Sequence, residues 1–345
     1  MEKNRIAWID VAKGLAILLV IVGHGVEGES RGVIFSFHMP LFFILSLVTF
    51  SLSKNGDEFV RNCGKAFKHL FLTAVGIYIG RTAIQLVRDI PKLAEFSFSD
   101  YAAYFADIIK VFVAGSGDKL TIGTYTIDAI GMPWFLFALF GGRILYDYLH
   151  LKCKRNVLYV MVCICSIVGV ILGKIQWLPF SFDIALAIQP FFLLGEWLKK
   201  YDIETKTAGK AILWLFVWAA SFLLINYLKH SYLNLASRTY PLFPICYVCA
   251  IAGTMAVSCL SQLISRIKTV SKPLMYLGKN SIVMLCVHCF DRYYRFAWKI
   301  TGNESINLVL RLAEDILAFA VIMLIINLVK KRKLEKDSGL PQTLQ

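Results

Sequence analysis

Charge is the scarcest commodity in this sequence. Asp, Glu, Lys and Arg make up 17% of its 345 residues, where a soluble domain carries about 25%. Apolar residues account for 57%, mean hydropathy is +0.63, and the apolar residues arrive in blocks of roughly 17–25, the length that crosses a bilayer core. A soluble multidomain architecture is excluded. A cleavable leader is also not apparent: Met1 to Trp8 is basic enough to open one, but no small-residue cleavage site follows the first apolar block. The first helix is therefore expected to stay as a signal anchor. Internal repeats, low-complexity tracts and a cytoplasmic signalling domain are all missing, which argues against a repeat array or a membrane sensor.

What is there is an all-α polytopic pattern. Ten spans are expected in one bundle: 8–26, 33–52, 67–87, 131–149, 157–173, 182–198, 210–228, 243–264, 280–298 and 307–329, separated by turn or charge signals such as Gly56-Asp57, Pro179, Lys199-Lys200 and Pro273. With the N-terminus inside, 22 of the 37 Lys and Arg fall in cytoplasmic segments and 11 in outer ones. The remaining four, Lys13, Arg81, Arg143 and Arg311, lie within spans. This two-to-one bias places both termini in the cytoplasm. The net charge of +14 is thereby accounted for as topology signal, and nucleic acid is not an expected partner. The lipid bilayer is.

The longest connection, 88–130, is expected on the outer side. In it Tyr101, Tyr104, Phe105, Ile108, Ile109, Phe112 and Val113 recur at helical spacing, an amphipathic helix with Ser99 as the expected N-cap, suited to lying on the outer leaflet. The segment 331–345 is expected to be a basic, disordered cytoplasmic tail. Two CxxC pairs, Cys246/Cys249 and Cys286/Cys289, sit in apolar helical runs. There cysteine behaves as a small core hydrophobe, so no metal site is expected.

Against this apolar background, Arg5 to Ser46 is anomalous. Asp10, Lys13 and His24 lie in or against the first span and His38 in the second. Titratable groups in lipid cost several kcal/mol unless paired or hydrated, and so mark function. Lys13 and His24 are eleven residues apart, which returns to within about 20° of one helix face and about 16 Å further along the axis. Ile17, Val20 and Ile21 lie between them. Asp10, one turn before Lys13, can pair with it. The topology puts Lys13 near the cytoplasmic interface and His24 and His38 in the outer half, on helices joined by a short loop, with His288 near mid-depth. Each has a plainer alternative: Lys13 and Arg5 as interfacial anchors, His24 as a snorkelling helix-end group, His38 as a partner for the carbonyl that Pro40 leaves unbonded.

These residues resemble the acyltransferase 3 family of integral-membrane O-acyltransferases. In that family the first helix carries a basic residue, ten residues and then histidine, matched here by Lys13 and His24. The basic residue is usually arginine; lysine in an AKG context resembles the fucose 4-O-acetylase-like branch. FSFHMPLFFILS at 35–46 is similar to the second-helix signature, with Leu47 where glycine usually follows. MPWFLFAL at 132–139, FFLLGEW at 191–197 and LGKNSIVMLCVH at 277–288 are similar to later signatures. The resemblance spans residues 1–330 as one transmembrane acyltransferase domain.

It implies a multi-pass protein of the cytoplasmic membrane that transfers an acyl group, usually acetyl from acetyl-CoA, to a hydroxyl of a surface glycan or its lipid-linked precursor. Acyl-CoA is a substrate; no bound cofactor is implied. A sugar hydroxyl needs a base at neutral pH, and histidine suits that role. His24 is the leading candidate, as base or acyl relay, and His38 would orient the acceptor or stabilise charge. Lys13, with Asp10, Arg5 and Arg143, would meet the donor phosphates. Ser46, Trp134, His288 and Asn280 are candidate acceptor or supporting residues. The competing class is a proton-coupled transporter using the intramembrane His and Asp, although paired broken segments in corresponding halves are not apparent.

Overall fold

In the computed structural model, residues 7–122, 124–175, 177–200, 208–294 and 300–337 are described, and nearly all of them are helical. The chain opens with α1 (Ala7–Gly23), α2 (Gly28–Phe35) and α3 (His38–Val48). Next, α4 (Gly56–Ala66) passes through a π-turn at Phe67–Phe71 into α5 (Leu72–Leu93). Then come α6 (Phe98–Ala114) and an antiparallel hairpin of β1 (Leu120–Ile122) and β2 (Tyr125–Ile127), with Leu120 opposite Ile127. The middle holds α7 (Trp134–Lys152), α8 (Arg155–Ile175), α9 (Phe182–Ala187) and α10 (Gln189–Lys200). The last third is α11 (Ala208–Lys229), α12 (Ile245–Ile264), α13 (Lys268–Lys279), α14 (Ser281–Phe290) and α15 (Glu304–Asp337).

Among the described residues, six helices are long and apolar enough to cross a membrane, or seven if the pair around α9 and α10, bent by 56°, is one broken span. The chain is thus an all-α polytopic membrane protein. Each of the ten expected stretches contains helix, but α1, α7 and the α13–α14 pair are not among the helices that meet both the length and the hydropathy of a span. The second expected span is α2 and α3 with a break at Ser36-Phe37, and Pro40 sits in the first turn of α3, where its missing N–H costs no helical bond.

At the centre lies α1, whose Val11, Ala12, Ala16, Ile17 and Ile21 are at most 1% exposed. It crosses α13 at backbone contact. A Cβ on Gly14 would lie 2.1 Å from the Leu274 carbonyl oxygen, and one on Gly278 1.8 Å from that of Asp10. Only glycine lets two helices approach this closely.

Three sequence expectations need correction. The helix of α5 runs on to Leu93, so the long connection starts later than residue 88; Pro91 falls in its last turn, where one lost bond does not end a helix held by its neighbours. The N-cap of α6 is Ser97, not Ser99. Its Oγ accepts from the Asp100 N–H while the Asp100 carboxylate accepts from the Ser97 N–H, a reciprocal capping box. The Ser97 hydroxyl, which donates to Asp100 Oδ2 at 2.6 Å, and the Ser97 N–H together hold the Asp100 carboxyl below its usual pKa. The basic run after Val329 does not break α15, which continues to Asp337 because Lys, Arg, Leu and Glu are good helix formers; residues 338–345 of the expected tail lie outside the described residues.

On α6 the apolar stripe is divided. Tyr104, Ile108 and Phe112 are half-buried, with Tyr78 donating to the Ile108 carbonyl at 2.7 Å. Phe98, Phe105 and Ile109 are exposed. At the end of the bundle near this helix, Arg238 ties three connections together. It donates to both oxygens of Asp183 (2.8 and 3.3 Å), to the hydroxyls of Ser116 and Ser181 and to the Ala236 carbonyl, and lies 3.9 Å over the Trp177 ring.

Candidate active site

A cavity of about 450 Å³ runs beside α1. One wall is the predicted stripe: Lys13, Ile17, Val20 and His24 all line it, whereas Ile21 is buried in the core. Around Lys13 the lining is polar and basic, with Thr49, Ser51, Asn62, Lys65, His69 and Arg143. Thr49, Ser51, Lys65 and His69 are also exposed, so the cavity has a mouth at this end. The Arg143 guanidinium stacks on Phe50 at 5.1 Å, and its Nε is buried with no hydrogen-bond partner among the described residues. Toward His24 the walls are apolar and include Met132, Trp134, Phe135 and Leu285. The cavity is thus cationic at its open end and apolar toward His24.

His24 is the first residue beyond α1. Its N–H donates to Val20 O at 3.1 Å, and its carbonyl accepts from Arg311 Nη1 at 2.9 Å. The side chain is exposed and lines the cavity. The plainer alternative, a helix-end histidine reaching for the interface, fits its place in the chain but not its surroundings: its ring is 5.5 Å from that of His288 and 5.8 Å, edge-on, from Phe35.

His38 lies near His24, as expected, but not in ring contact with it. Phe35 stands between the two rings, 4.7 Å from His38, which is buried, bonds Ile34 O through Nδ1 at 2.9 Å and does not line the cavity. This is the geometry of a side chain satisfying a carbonyl at a helix break. The neighbour of His24 is instead His288, whose Nδ1 sits 2.8 Å from Asp315 Oδ2 and 3.1 Å from Asp291 Oδ2. Arg311 donates to Asp291 through Nε and Nη2 at 3.0 and 2.7 Å, and the Tyr294 hydroxyl donates to Asp315 Oδ1 at 3.0 Å. Asp291, Asp315 and Tyr294 were not singled out from the sequence, and Arg311 was given no role. The available signal was charge inside apolar runs, with Arg311 and Asp315 four residues apart on one face of α15.

The other expected residues divide between cavity and scaffold. Ser46 and Trp134 line the cavity, although the Ser46 hydroxyl also donates to Phe43 O at 2.8 Å. Asp10 is buried against α13 rather than facing the cavity. Asn280 sits at the α13–α14 junction and donates to Tyr276 O at 2.9 Å, a local cap; its neighbour Ser281 lines the cavity and Asn280 does not. Arg5 lies outside the described residues. The FFLLGEW stretch serves packing: Glu196 takes bonds from Tyr146 and Arg155, and a Cβ on Gly195 would meet Ile44 O at 2.4 Å.

His288, Asp291 and Asp315 offer ligand atoms within 4.8 Å of one another, a spacing able to hold a cation. Arg311 already bonds Asp291 Oδ2 and Tyr294 bonds Asp315 Oδ1, so a cation would compete with a buried ion pair.

The family model for the acyltransferase domain matches residues 6–329, nearly the whole chain. No curated protein and no solved structure matches the chain. The helical membrane fold, the Lys13-to-His24 stripe along a cavity and this full-length match lead to one assignment: the chain belongs to the acyltransferase 3 family of membrane acyltransferases.

Proposed function

We propose that this acyltransferase resides in the cytoplasmic membrane and moves an acetyl or other acyl group from acyl-CoA to a hydroxyl of a cell-surface polysaccharide or its lipid-linked precursor. The observation that carries the reading is the cavity, cationic around Lys13, Lys65 and Arg143 and reaching His24 through an apolar channel. CoA is cytosolic and polyanionic, and the topology drawn from Lys and Arg puts the cationic mouth on the cytosolic side. Lys13 and Arg143 meet the phosphates, with the unpartnered Arg143 Nε offering a buried donor. The roughly 16 Å rise from Lys13 to His24 lets a slender thioester arm reach the histidine. There the carbonyl carbon is attacked, the thiolate leaves with its electron pair, and His24 handles the proton or the acyl group.

Membranes containing the protein, incubated with labelled acetyl-CoA, are expected to transfer label to glycan. Ion-gradient-driven uptake with no label transfer would instead support a transporter and end this reading. Lys13→Ala removes a charge-assisted contact worth about 1.5–3 kcal/mol. It is expected to raise donor KM by about tenfold or more with kcat largely kept, and unchanged donor dependence would remove Lys13 from the donor site.

A further inference from the structure

The pair formed by His24 and His288 carries a step beyond the choice between base and relay, and the step rests on the acyl-CoA reading above. His288 is fully buried, and its Nδ1 faces Asp315 and Asp291. Carboxylates accept only, so in the neutral ring Nδ1 carries the hydrogen and Nε2 carries the lone pair. That Nε2 is buried with no hydrogen-bond partner among the described residues. A buried acceptor left open is costly unless something fills it in the working state. The ring beside it is His24, 5.5 Å between centroids, which leaves roughly 3.2 Å between facing nitrogens when the rings turn toward each other, within reach of a proton transfer. His24 alone of the two lines the cavity.

The order from the cavity inward is therefore a ring open to the substrate, a buried ring with a free lone pair, and a carboxylate fixing that ring. This is the order of nucleophile, base and orienting group. We propose that His24 is the nucleophile and forms an acyl-imidazole, that His288 is the base acting on His24, and that Asp315 is the positioning residue that keeps Nε2 free. The cavity-facing nitrogen of His24 attacks the thioester carbonyl carbon. A C–N bond forms, the C–S bond breaks, and the thiolate leaves with its electron pair and takes a proton from water. The hydrogen on the other His24 nitrogen passes to His288 Nε2. In the second half the acceptor oxygen bonds the acyl carbon, the C–N bond breaks, and the acceptor hydroxyl loses its proton to water. The proton held by His288 then returns to His24, and both rings end as they began. Burial of His288 away from the cavity is consistent with this role, because it never needs to touch donor or acceptor. Arg311, bonded at once to the His24 carbonyl and to Asp291, holds the two rings in register.

The relay requires that donor chemistry proceed without acceptor. Full-length protein in nanodiscs, given acetyl-CoA and isotope-labelled free CoA but no glycan, is expected to exchange label into acetyl-CoA, and peptide mapping to find one acetyl group on the peptide bearing His24. Asp315→Asn is expected to lower the maximal exchange rate on the order of a hundredfold by allowing the wrong tautomer with donor KM unchanged, and Asp315→Glu to recover part of the loss. Glycan acylation without exchange, or an acetyl group on another residue, would overturn the relay while leaving the acyltransferase reading intact. A fall that lies wholly in KM would remove Asp315 from its role. Absence of both exchange and acylation with every acyl-CoA offered would overturn the acyl-CoA reading and the relay with it.

Discussion

Replacing Gly278 with alanine tests the closest contact in the bundle and, through it, the placement of the proposed reacting group. The added Cβ would stand 1.8 Å from the Asp10 carbonyl oxygen, 2.7 Å from its carbon and 2.9 Å from the Gly14 nitrogen. Carbon and carbonyl oxygen settle no closer than about 3.3 Å, so α13 and α1 must separate by roughly 1.5 Å. All three contacts are main chain, and no rotamer change can relieve them. Overpacking of this kind costs about 1–3 kcal/mol. The consequence for function is larger, because α1 carries Lys13 and leads directly into His24: displacing a reacting group by about 1 Å costs on the order of a hundredfold in rate. The assays are thermal unfolding in detergent and label transfer from acetyl-CoA, with Gly76→Ala as control. Gly76 lies in α5 with nothing within 4 Å of its added Cβ, so alanine there is expected to be neutral or to stabilise by up to about 1 kcal/mol. Gly278→Ala that melts and transfers like the parent would refute the packing argument.

Two further predictions concern the scaffold. Arg238→Ala strands Asp183, whose side chain is 0% exposed; breaking such a pair costs about 3–5 kcal/mol, and a loss below about 1 kcal/mol in detergent unfolding would show that the clip is not structural. Ser97→Ala removes one half of the capping box of α6, worth about 1 kcal/mol. Amide exchange in the first turn of α6 is expected to quicken about fivefold, and unchanged protection would mean that contacts with α5 alone hold the helix.

Much of the fold was legible because a bilayer leaves so few options: apolar blocks of spanning length must be helices. Within the proposed site, the local part was legible and the long-range part was not. Lys13, Ile17, Val20 and His24 share a face by helical geometry alone, and that face lines the cavity. The ring in contact with His24 was not legible, for a physical reason. A short loop brings α3 near α1, which made His38 the obvious neighbour, but the break at Ser36-Phe37 lets Phe35 stand between the two rings. His288 reaches His24 from the far end of the chain, and Asp315, 27 residues further on, holds it. No periodicity encodes such a contact; charge in an apolar run marks Asp291, Arg311 and Asp315 as significant without saying what they face. Glycines show the same limit. Gly14 and Gly278 read as ordinary helix positions until the carbonyls opposite them are seen.

The central claim is that acyl transfer takes place at His24, and one substitution tests it directly. His24→Ala, verified to reach the membrane and to melt like the parent, should lose O-acylation of glycan in membranes supplied with labelled acetyl-CoA. Full activity in that variant would contradict the account.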